Sequence, residues 1–427
     1  MTTARPPGRE RRRAGAPPAA AQTRTAALVA ARARSCVEQW CRAVAQAPDR
    51  AVPFPFGAVT TVVRRCGTAD LAPDLVGALV RARSVAAARA GEPPGEGWFT
   101  ARWLDCLTSP ALGRRTYETY TMSGLIDEYC RAGAFLLRAG TVNALLVGDL
   151  VRHELRFPGP RGDAALAARR ATAVLHLAGG PAADGPADRE RVLKECERFL
   201  PSAARPGPGV LPLLLSATPL PATTEPDEHL FVRSVQSMEL LASVAEAHAR
   251  AALRRHAAKE DAGIPPHLHA VADALHTASR LFRVVITIDP AQFDRIRAAT
   301  RGTGALQSRG FASLERLCRG AGGLRPETVE AVSPDRAPAA RPSLADLVRR
   351  ADTHGDRLRG ELRGAAERVD REWLRWKRAH YGVVRKVIGG VPGTGGTRGL
   401  AYLRQHVNTP LLDTAPPTAE KPAGGTT

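Results

Sequence analysis

Apolar residues recur at every third or fourth position through most of the chain, and almost no segment alternates apolar and polar residues one by one. A spacing of three to four is that of an α-helix with one buried face, whereas a half-buried strand has a period of two. The pattern therefore predicts an all-α fold. In the first half of the chain it predicts helices over residues 31–47, 74–90, 124–157 and 166–178.

A stretch rich in proline, residues 202–226, interrupts this pattern. We expect it to be a linker between a helical N-terminal domain, residues 26–201, and a second helical domain, residues 227–408. The sequence indicates no role for the first of these. The two ends, residues 1–25 and 409–427, lack periodicity and are rich in Arg, Pro, Gly or Thr, so both are expected to be disordered.

The second domain is expected to contain one helix that begins at Pro226 and runs for about 30 residues. Shorter helices are predicted over residues 272–289, 289–300 and 311–319, and a long final helix from about Ser343 to Ile388.

The formal net charge is +19, which is typical of proteins that bind nucleic acid. The composition argues against that partner. Only five of the 61 basic residues are lysine, and Arg is enriched together with Ala, Gly and Pro, as a GC-rich coding sequence would produce. Aromatic residues make up 5% of the chain and do not alternate with basic ones as they do on base-stacking surfaces.

No segment approaches the roughly 20 apolar residues that a membrane span requires, and the first residues do not resemble a secretion signal. We therefore expect a cytoplasmic protein with no membrane partner. The seven cysteines are scattered and form no CxxC pair or zinc-binding spacing, so they are expected to be reduced thiols.

One histidine of the final predicted helix, His380, lies within an apolar stripe. The stripe consists of Trp373, Trp376, His380, Val383, Val384 and Val387. A histidine in such a position is either a core residue that is hydrogen-bonded to a neighbour or the axial ligand of a haem. The second role requires a neutral imidazole in dry surroundings and a neighbour such as Trp376 to wall or orient it.

The loop after this helix, residues 389–399, is too rich in glycine to form a helix or a strand. Its backbone N–H groups are free to point inward and to bind an anion such as a carboxylate. No lysine follows the glycines, so the loop is not a nucleotide P-loop. The alternative is that it only ends the helix and forms a flexible turn.

Three blocks of the chain, in order over residues 227–404, resemble the tryptophan 2,3-dioxygenase family. The last block pairs Trp376 and His380 with the sequences GTGG, residues 393–396, and YLR, residues 402–404. The first is DEHLF, residues 227–231, followed by Gln236 and Glu239-Leu240. The middle one is Ile288-Asp289 and Phe293, followed by QSRGFASLE, residues 307–315. A tyrosine pair, Tyr117 and Tyr120, is similar to one near that family's N-terminus, although the spacing that follows is longer.

The resemblance implies a b-type haem whose iron is held by His380 on the proximal side, with Trp376, Gly393, Gly395 and Gly396 around the cofactor. It implies that an aromatic substrate contacts Phe231, Val235, Met238, Phe293, Thr394 and Tyr402. The implied reaction inserts O2 across the C2–C3 bond of the indole ring of L-tryptophan or a related indole, in an N-formylkynurenine-type ring opening. That family forms tetramers, so a homo-oligomer is one expectation.

The chain departs from the family on the substrate side. Val235 stands where the family has a distal histidine, and Asp294 stands where it has an arginine that binds the substrate carboxylate; Arg295 and Arg398 are the candidate replacements. No catalytic side chain is therefore assigned. Two further functions stay open, namely a haem-dependent monooxygenase or peroxygenase acting on another aromatic substrate, such as an indole or phenol relative, and a non-catalytic haem-binding or helical scaffold protein.

Overall fold

The computed structural model describes residues 19–47, 49–156, 163–178, 209–301, 303–320, 342–350, 356–393 and 398–413. Within these ranges every regular element is a helix, which confirms the predicted all-α class. No helix in the same ranges is long and apolar enough to cross a membrane.

The first part of the chain forms a cluster of helices around buried aromatic rings. The helices are α1 (Ala19–Gln46), α2 (Phe56–Cys66), α3 (Pro73–Ala87), α4 (Glu96–Thr108), α5 (Tyr117–Thr121), α6 (Ser123–Arg131) and α7 (Phe135–Arg156). Trp103 of α4 is completely buried, and its ring meets those of Phe54 and Phe56 edge-on. Such edge-to-face contacts contribute beyond the buried area alone, so these rings fix the way α2 and α4 pack.

The second part contains the longest helices. They are α8 (Ala164–Ala178), α9 (Val210–Ala217), α10 (Pro226–Ala257), α11 (Ile264–Val285), α12 (Pro290–Ala299), α13 (Arg309–Arg319), α14 (Leu344–Arg349), α15 (Asp356–Val383) and α16 (Leu400–His406). Single 3-10 turns lie at Asp261–Gly263 and Ala305–Gln307, and a π-helical turn, Val384–Ile388, follows α15 directly.

Helix α10 is the central element, and its 32 residues confirm the predicted helix that begins at Pro226. Asp227 and Glu228 lie in its first turn, and Arg254 and Arg255 lie in its last, so the charges at both ends complement the helix dipole. Helices α7, α11 and α13 all pack against it. Because it is covered on several sides, most of its first 20 residues are buried.

The predicted linker, residues 202–226, does not separate two cores. Residues 209–226 contain α9, in which Leu214 and Ala217 are completely buried, and the indole N–H of Trp103 donates to the Ala217 carbonyl at 2.8 Å. A second core joins Leu150 of α7 and Val174 of α8 to residues of α10 and α11. Proline indicated a loop here, but the apolar run from Val210 to Leu215 gains more from burial than from solvent contact.

One predicted helix is interrupted, and a second is described only in two parts. The helix expected over residues 124–157 is two helices, α6 and α7, separated around Gly133, where the missing side chain makes a helix unfavourable. The final helix begins as predicted after Ser343, whose hydroxyl caps α14 together with Asp346. It is described as two segments, α14 and α15, since residues 351–355 lie outside the described ranges.

Both ends predicted to be disordered, residues 1–25 and 409–427, include residues that the structure places in ordered contacts. Helix α1 already begins at Ala19. At the other end Leu411 and Leu412 are buried, and both of their backbone N–H groups donate to one carboxylate oxygen of Asp370 at 2.7 Å. Two leucines anchored in this way order the chain as far as residue 413. Residues 1–18 and 414–427 lie outside the described ranges.

Candidate functional site

A cavity of about 270 Å³ lies between α5, α10, α12, α13, α15 and α16. One wall is formed by the apolar stripe of α15 and the π-helical turn, since all six stripe residues, from Trp373 to Val387, line it. The stripe therefore faces a space that is large enough for a small aromatic molecule and is lined mainly by apolar side chains, as ligand pockets usually are.

Most of the residues that the sequence assigned to a cofactor or a substrate meet in this cavity. They are Phe231, Val235, Met238, Phe293, Trp376, His380, Gly393 and Tyr402. The rings of Phe231 and Phe293 meet edge-on, with centroids 5.1 Å apart. Residues from four separate segments of the chain thus form one lining.

Two predicted residues lie elsewhere. The guanidinium of Arg295 donates to both carboxylate oxygens of Glu225, with an Nη2–Oε2 distance of 2.9 Å, and its side chain is 58% exposed. Arg295 follows Phe293 by two residues, or about 200° around a helix, so it faces away from the cavity. Arg398 is exposed and is not among the described residues of the lining.

Three further predicted residues, Thr394, Gly395 and Gly396, lie outside the described residues. The glycine-rich loop is therefore seen only at its two ends. Gly393 and Gly399 both line the cavity, so the loop begins and ends at the edge of the cavity.

The cavity contains a cation that the sequence analysis missed, Arg297. It follows Phe293 by four residues, so it shares that residue's side of α12, and only 16% of its side chain is exposed. It donates to the Pro392 carbonyl at 2.6 Å and forms an ion pair with Asp294 at 3.7 Å. The signal that could have found it is the four-residue spacing from Phe293.

His380 lies half-buried among aromatic rings. Its imidazole is nearly parallel to the ring of Phe282, with centroids 5.5 Å apart and an angle of 21° between the planes. Trp376 lies one turn before it, at a centroid distance of 5.6 Å. These rings limit the orientations that the imidazole can adopt, and the π-helical turn four residues later is a feature often found near functional sites.

Two indoles of the same wall carry buried N–H groups that donate to no atom of the described residues. They belong to Trp373 and Trp376, whose rings stack at 5.4 Å with an angle of 13°. Phe311 covers the Trp376 ring at 4.4 Å. A buried donor without an acceptor is costly, so these groups favour a bound molecule that offers acceptor atoms.

A buried carboxyl, Glu239, also lines the cavity, one turn after Val235 on α10. It accepts hydrogen bonds from the Ser308 hydroxyl at 2.7 Å and from the Tyr117 hydroxyl at 3.1 Å. Burial raises the pKa of Glu239 to about 7, although both hydrogen bonds act in the opposite direction. This carboxyl therefore exchanges a proton near neutral pH.

Tyr120 also lines the cavity and is bound to a second carboxyl. Its hydroxyl donates to Glu228 at 2.8 Å, and the same carboxyl accepts the backbone N–H groups of Ala222 and Thr223. Burial raises the pKa of Tyr120, as well as that of Tyr117, far above the usual value. Both hydroxyls therefore stay protonated and act as donors.

A lysine, Lys377, lies between the indole wall and the end of the chain. Its ammonium donates to the carbonyls of His406 and Thr409, at 2.6 and 3.2 Å, and lies 5.2 Å from the centre of the Trp373 ring. It fastens the segment after α16 beside the cavity and, with Arg297, places positive charge at its edge.

The residue types of the lining suit a haem, although a haem is larger than the 270 Å³ space and would require the cavity to widen. A haem needs one side-chain ligand from the protein, and a half-buried imidazole such as that of His380 could provide it. The valines and aromatic rings of α15 suit the apolar macrocycle, and Arg297 and Lys377 are suitable partners for its carboxylates. Among the described residues no group of three or more His, Cys, Asp or Glu side chains is placed to hold a metal ion.

No protein-family model matches this chain, and no curated protein is significantly similar to it.

Proposed function

We propose that this chain binds a b-type haem through His380 and oxygenates an aromatic substrate in the cavity beside it. The observation that carries the proposal is the convergence on one cavity of eight residues that the resemblance to tryptophan 2,3-dioxygenases assigned to cofactor and substrate. They come from separate segments of the chain, so their meeting is not a consequence of their sequence positions.

In this proposal the wall of α15 holds the cofactor. The imidazole of His380 would hold the iron, and the rings of Phe282 and Trp376 keep that imidazole in place. Val383, Val384 and Val387 exclude water from the macrocycle. Bound haem supplies the activation of O2, which amino-acid side chains cannot perform.

The opposite wall positions the substrate. Phe231, Phe293 and Met238 offer an apolar surface to an aromatic ring, and Tyr402 is buried at the side where the glycine-rich loop returns. Enclosure of this kind orients the ring and keeps water out. Oxygenation of the indole ring of L-tryptophan or a related indole is the first candidate reaction.

A second candidate is a haem-dependent monooxygenase or peroxygenase that acts on another aromatic molecule. It is favoured by the exposure of Arg295 and its pairing with Glu225, which keep this candidate for the carboxylate site outside the cavity. The apolar Val235, where the family has a histidine, also favours it. A cytoplasmic location and a homo-oligomeric state stay predictions.

The test of haem binding is the absorption spectrum of the purified protein, ferric and reduced, after expression with a haem precursor. We expect a Soret band that is lost or shifted in His380→Ala. The matched control is His406→Ala, because His406 also lines the cavity; this variant should keep the wild-type spectrum. A band that responds to His406→Ala instead, or no band after hemin is added, would contradict the proposal.

The reaction is then tested with L-tryptophan, indole and simple phenols, each supplied with O2 and a reductant or with peroxide. Ring-opened N-formyl products with O2 support the first candidate. Hydroxylated products, with O2 or peroxide, support the second.

A further inference from the structure

Glu239 is a buried carboxyl that faces the cavity, in a lining that is otherwise mainly apolar. Burying a carboxylate is unfavourable unless hydrogen bonds compensate for the lost water. The two observed donors, Tyr117 and Ser308, each bind a different oxygen. An ionised carboxyl has about four acceptor positions, so the two observed donors leave acceptor positions unfilled on a side chain that lines the cavity.

The side chain is held in a fixed position by three elements. Glu239 projects from α10, Tyr117 belongs to α5, and Ser308 caps the first turn of α13 by accepting the backbone N–H of Phe311 at 3.3 Å. A carboxyl fixed in this way loses little conformational freedom when a ligand binds, which is a property of binding groups that determine specificity.

The hydroxyl groups at this end of the cavity are already used as donors to carboxyls. Those of Tyr117 and Ser308 donate to Glu239, and that of Tyr120 donates to Glu228. The neighbouring position one turn earlier, Val235, has no polar atom. This end of the cavity therefore offers an acceptor to a ligand, and it suits a molecule that brings its own hydrogen.

We propose that Glu239 determines the specificity of the cavity by accepting a hydrogen bond from the ring N–H of an indole-type substrate. This inference rests on the proposed function, because it names the substrate class of the same cavity. It assigns to Glu239 the recognition of the indole N–H that Val235 cannot perform.

The experiment compares two ligands of nearly equal shape, indole and benzofuran, in which an oxygen replaces the ring N–H. Binding of each to the full-length protein is measured by calorimetry, with and without haem. At pH 8, where Glu239 is mainly ionised, we expect indole to bind at least about tenfold more tightly, as a hydrogen bond to a charged acceptor would give. Equal affinities for the two ligands would overturn the inference.

Two variants assign the preference to the carboxyl. Glu239→Gln should lose most of the preference for indole while its affinity for benzofuran stays close to that of the wild type, which also shows that the variant is folded. Leu240→Met, the control at the adjacent position of α10 that packs in the core of the first helices, should keep the preference. An undiminished preference in Glu239→Gln would exclude this role.

These outcomes are separate from those of the haem test. A protein without a Soret band that still prefers indole would refute the proposed oxygenase and leave the role of Glu239 intact. A protein that binds haem through His380 and does not distinguish indole from benzofuran would refute the role of Glu239 and leave the haem proposal intact.

Discussion

Arg170 of α8 and Asp227 of α10 form a bidentate ion pair that is almost completely buried, with nitrogen–oxygen distances of 2.7 and 2.9 Å. The same guanidinium donates to the hydroxyl and the carbonyl of Thr287, and Asp227 also accepts the backbone N–H of Asp289. These contacts join α8 to the beginning of α10 and to the chain between α11 and α12.

Removal of one partner of this pair should strongly destabilise the protein. An Asp227→Asn substitution removes the closer of the two buried carboxylates beside Arg170 and leaves Glu154, at 3.6 Å, as its counter-ion. We therefore expect a loss of about 3 kcal/mol in the free energy of unfolding, at the lower end of the range for a broken buried ion pair. Denaturant unfolding measures the loss. The control is Arg357→Ala, which removes an exposed partner of Glu361 and should cause no measurable change. Similar losses in the two variants would contradict this account.

Substitutions of two arginines of α12, Arg295 and Arg297, should differ in their effect on the rate at which haem is lost. Arg297 faces the cavity, whereas Arg295 is paired with Glu225 outside it. If Arg297 neutralises a haem carboxylate, Arg297→Ala should speed the transfer of haem to an acceptor protein about tenfold, corresponding to roughly 1.4 kcal/mol. Arg295→Ala should leave the rate unchanged. Equal rates of haem transfer in the two variants would show that Arg297 does not bind a haem carboxylate.

Acid should destabilise the protein through a pair of stacked imidazoles, His153 and His229, whose centroids lie 3.9 Å apart. Burial and the neighbouring His229 lower the pKa of His153 to about 3, and burial also lowers the pKa of His229. A histidine whose pKa falls on folding contributes full stability above its unfolded pKa of about 6.5 and loses it as the pH drops towards 3. For His153 alone the loss between pH 7.5 and pH 5 is about 2 kcal/mol.

The substitution His153→Phe keeps a flat ring in the stack and cannot take up a proton. Its free energy of unfolding should therefore fall less than that of the wild type between pH 7.5 and pH 5, by up to the same amount. Denaturant unfolding at the two pH values gives the comparison. An identical fall in both proteins would show that His153 does not cause the acid sensitivity.

Glu239 should have the opposite pH dependence, because burial raises its pKa from 4.5 to about 7. Its protonated form is favoured in the folded protein, so its contribution is complete below pH 4.5 and declines as the pH rises to about 7. The free energy of unfolding should then fall by up to about 3 kcal/mol over this range through Glu239 alone. Glu239→Gln should lack that part of the decline when its unfolding is compared at pH 5 and pH 8.

The spacing of apolar residues predicted the features that depend on one helix. It placed α10 and the stripe around His380 correctly, because a helical face can be read from positions three and four residues apart. The position of Arg297 follows from the same rule, whereas an alignment with the family directed attention to Arg295. Side-chain direction along α12 decides between the two residues.

Features that join distant segments were not predictable in the same way. Tyr117 precedes Glu239 by 122 residues, and neither residue by itself indicates that their side chains are hydrogen-bonded. The linker prediction failed for a related reason. Proline and glycine indicate where a helix ends, but they do not show whether a short apolar run such as Val210–Leu215 finds a core to pack against.

The contact of Tyr117 and Tyr120 with Glu239 and Glu228 decides how this protein can be divided. A shortened chain that began at residue 227 would contain His380 and all the family-like blocks, and by sequence it would pass for a complete domain. It would nevertheless lack two aromatic side chains of the cavity lining, and two buried carboxyls would lose their phenol donors. Helix α5 is in this sense the missing side of the pocket, and the smallest unit able to enclose a ligand includes it.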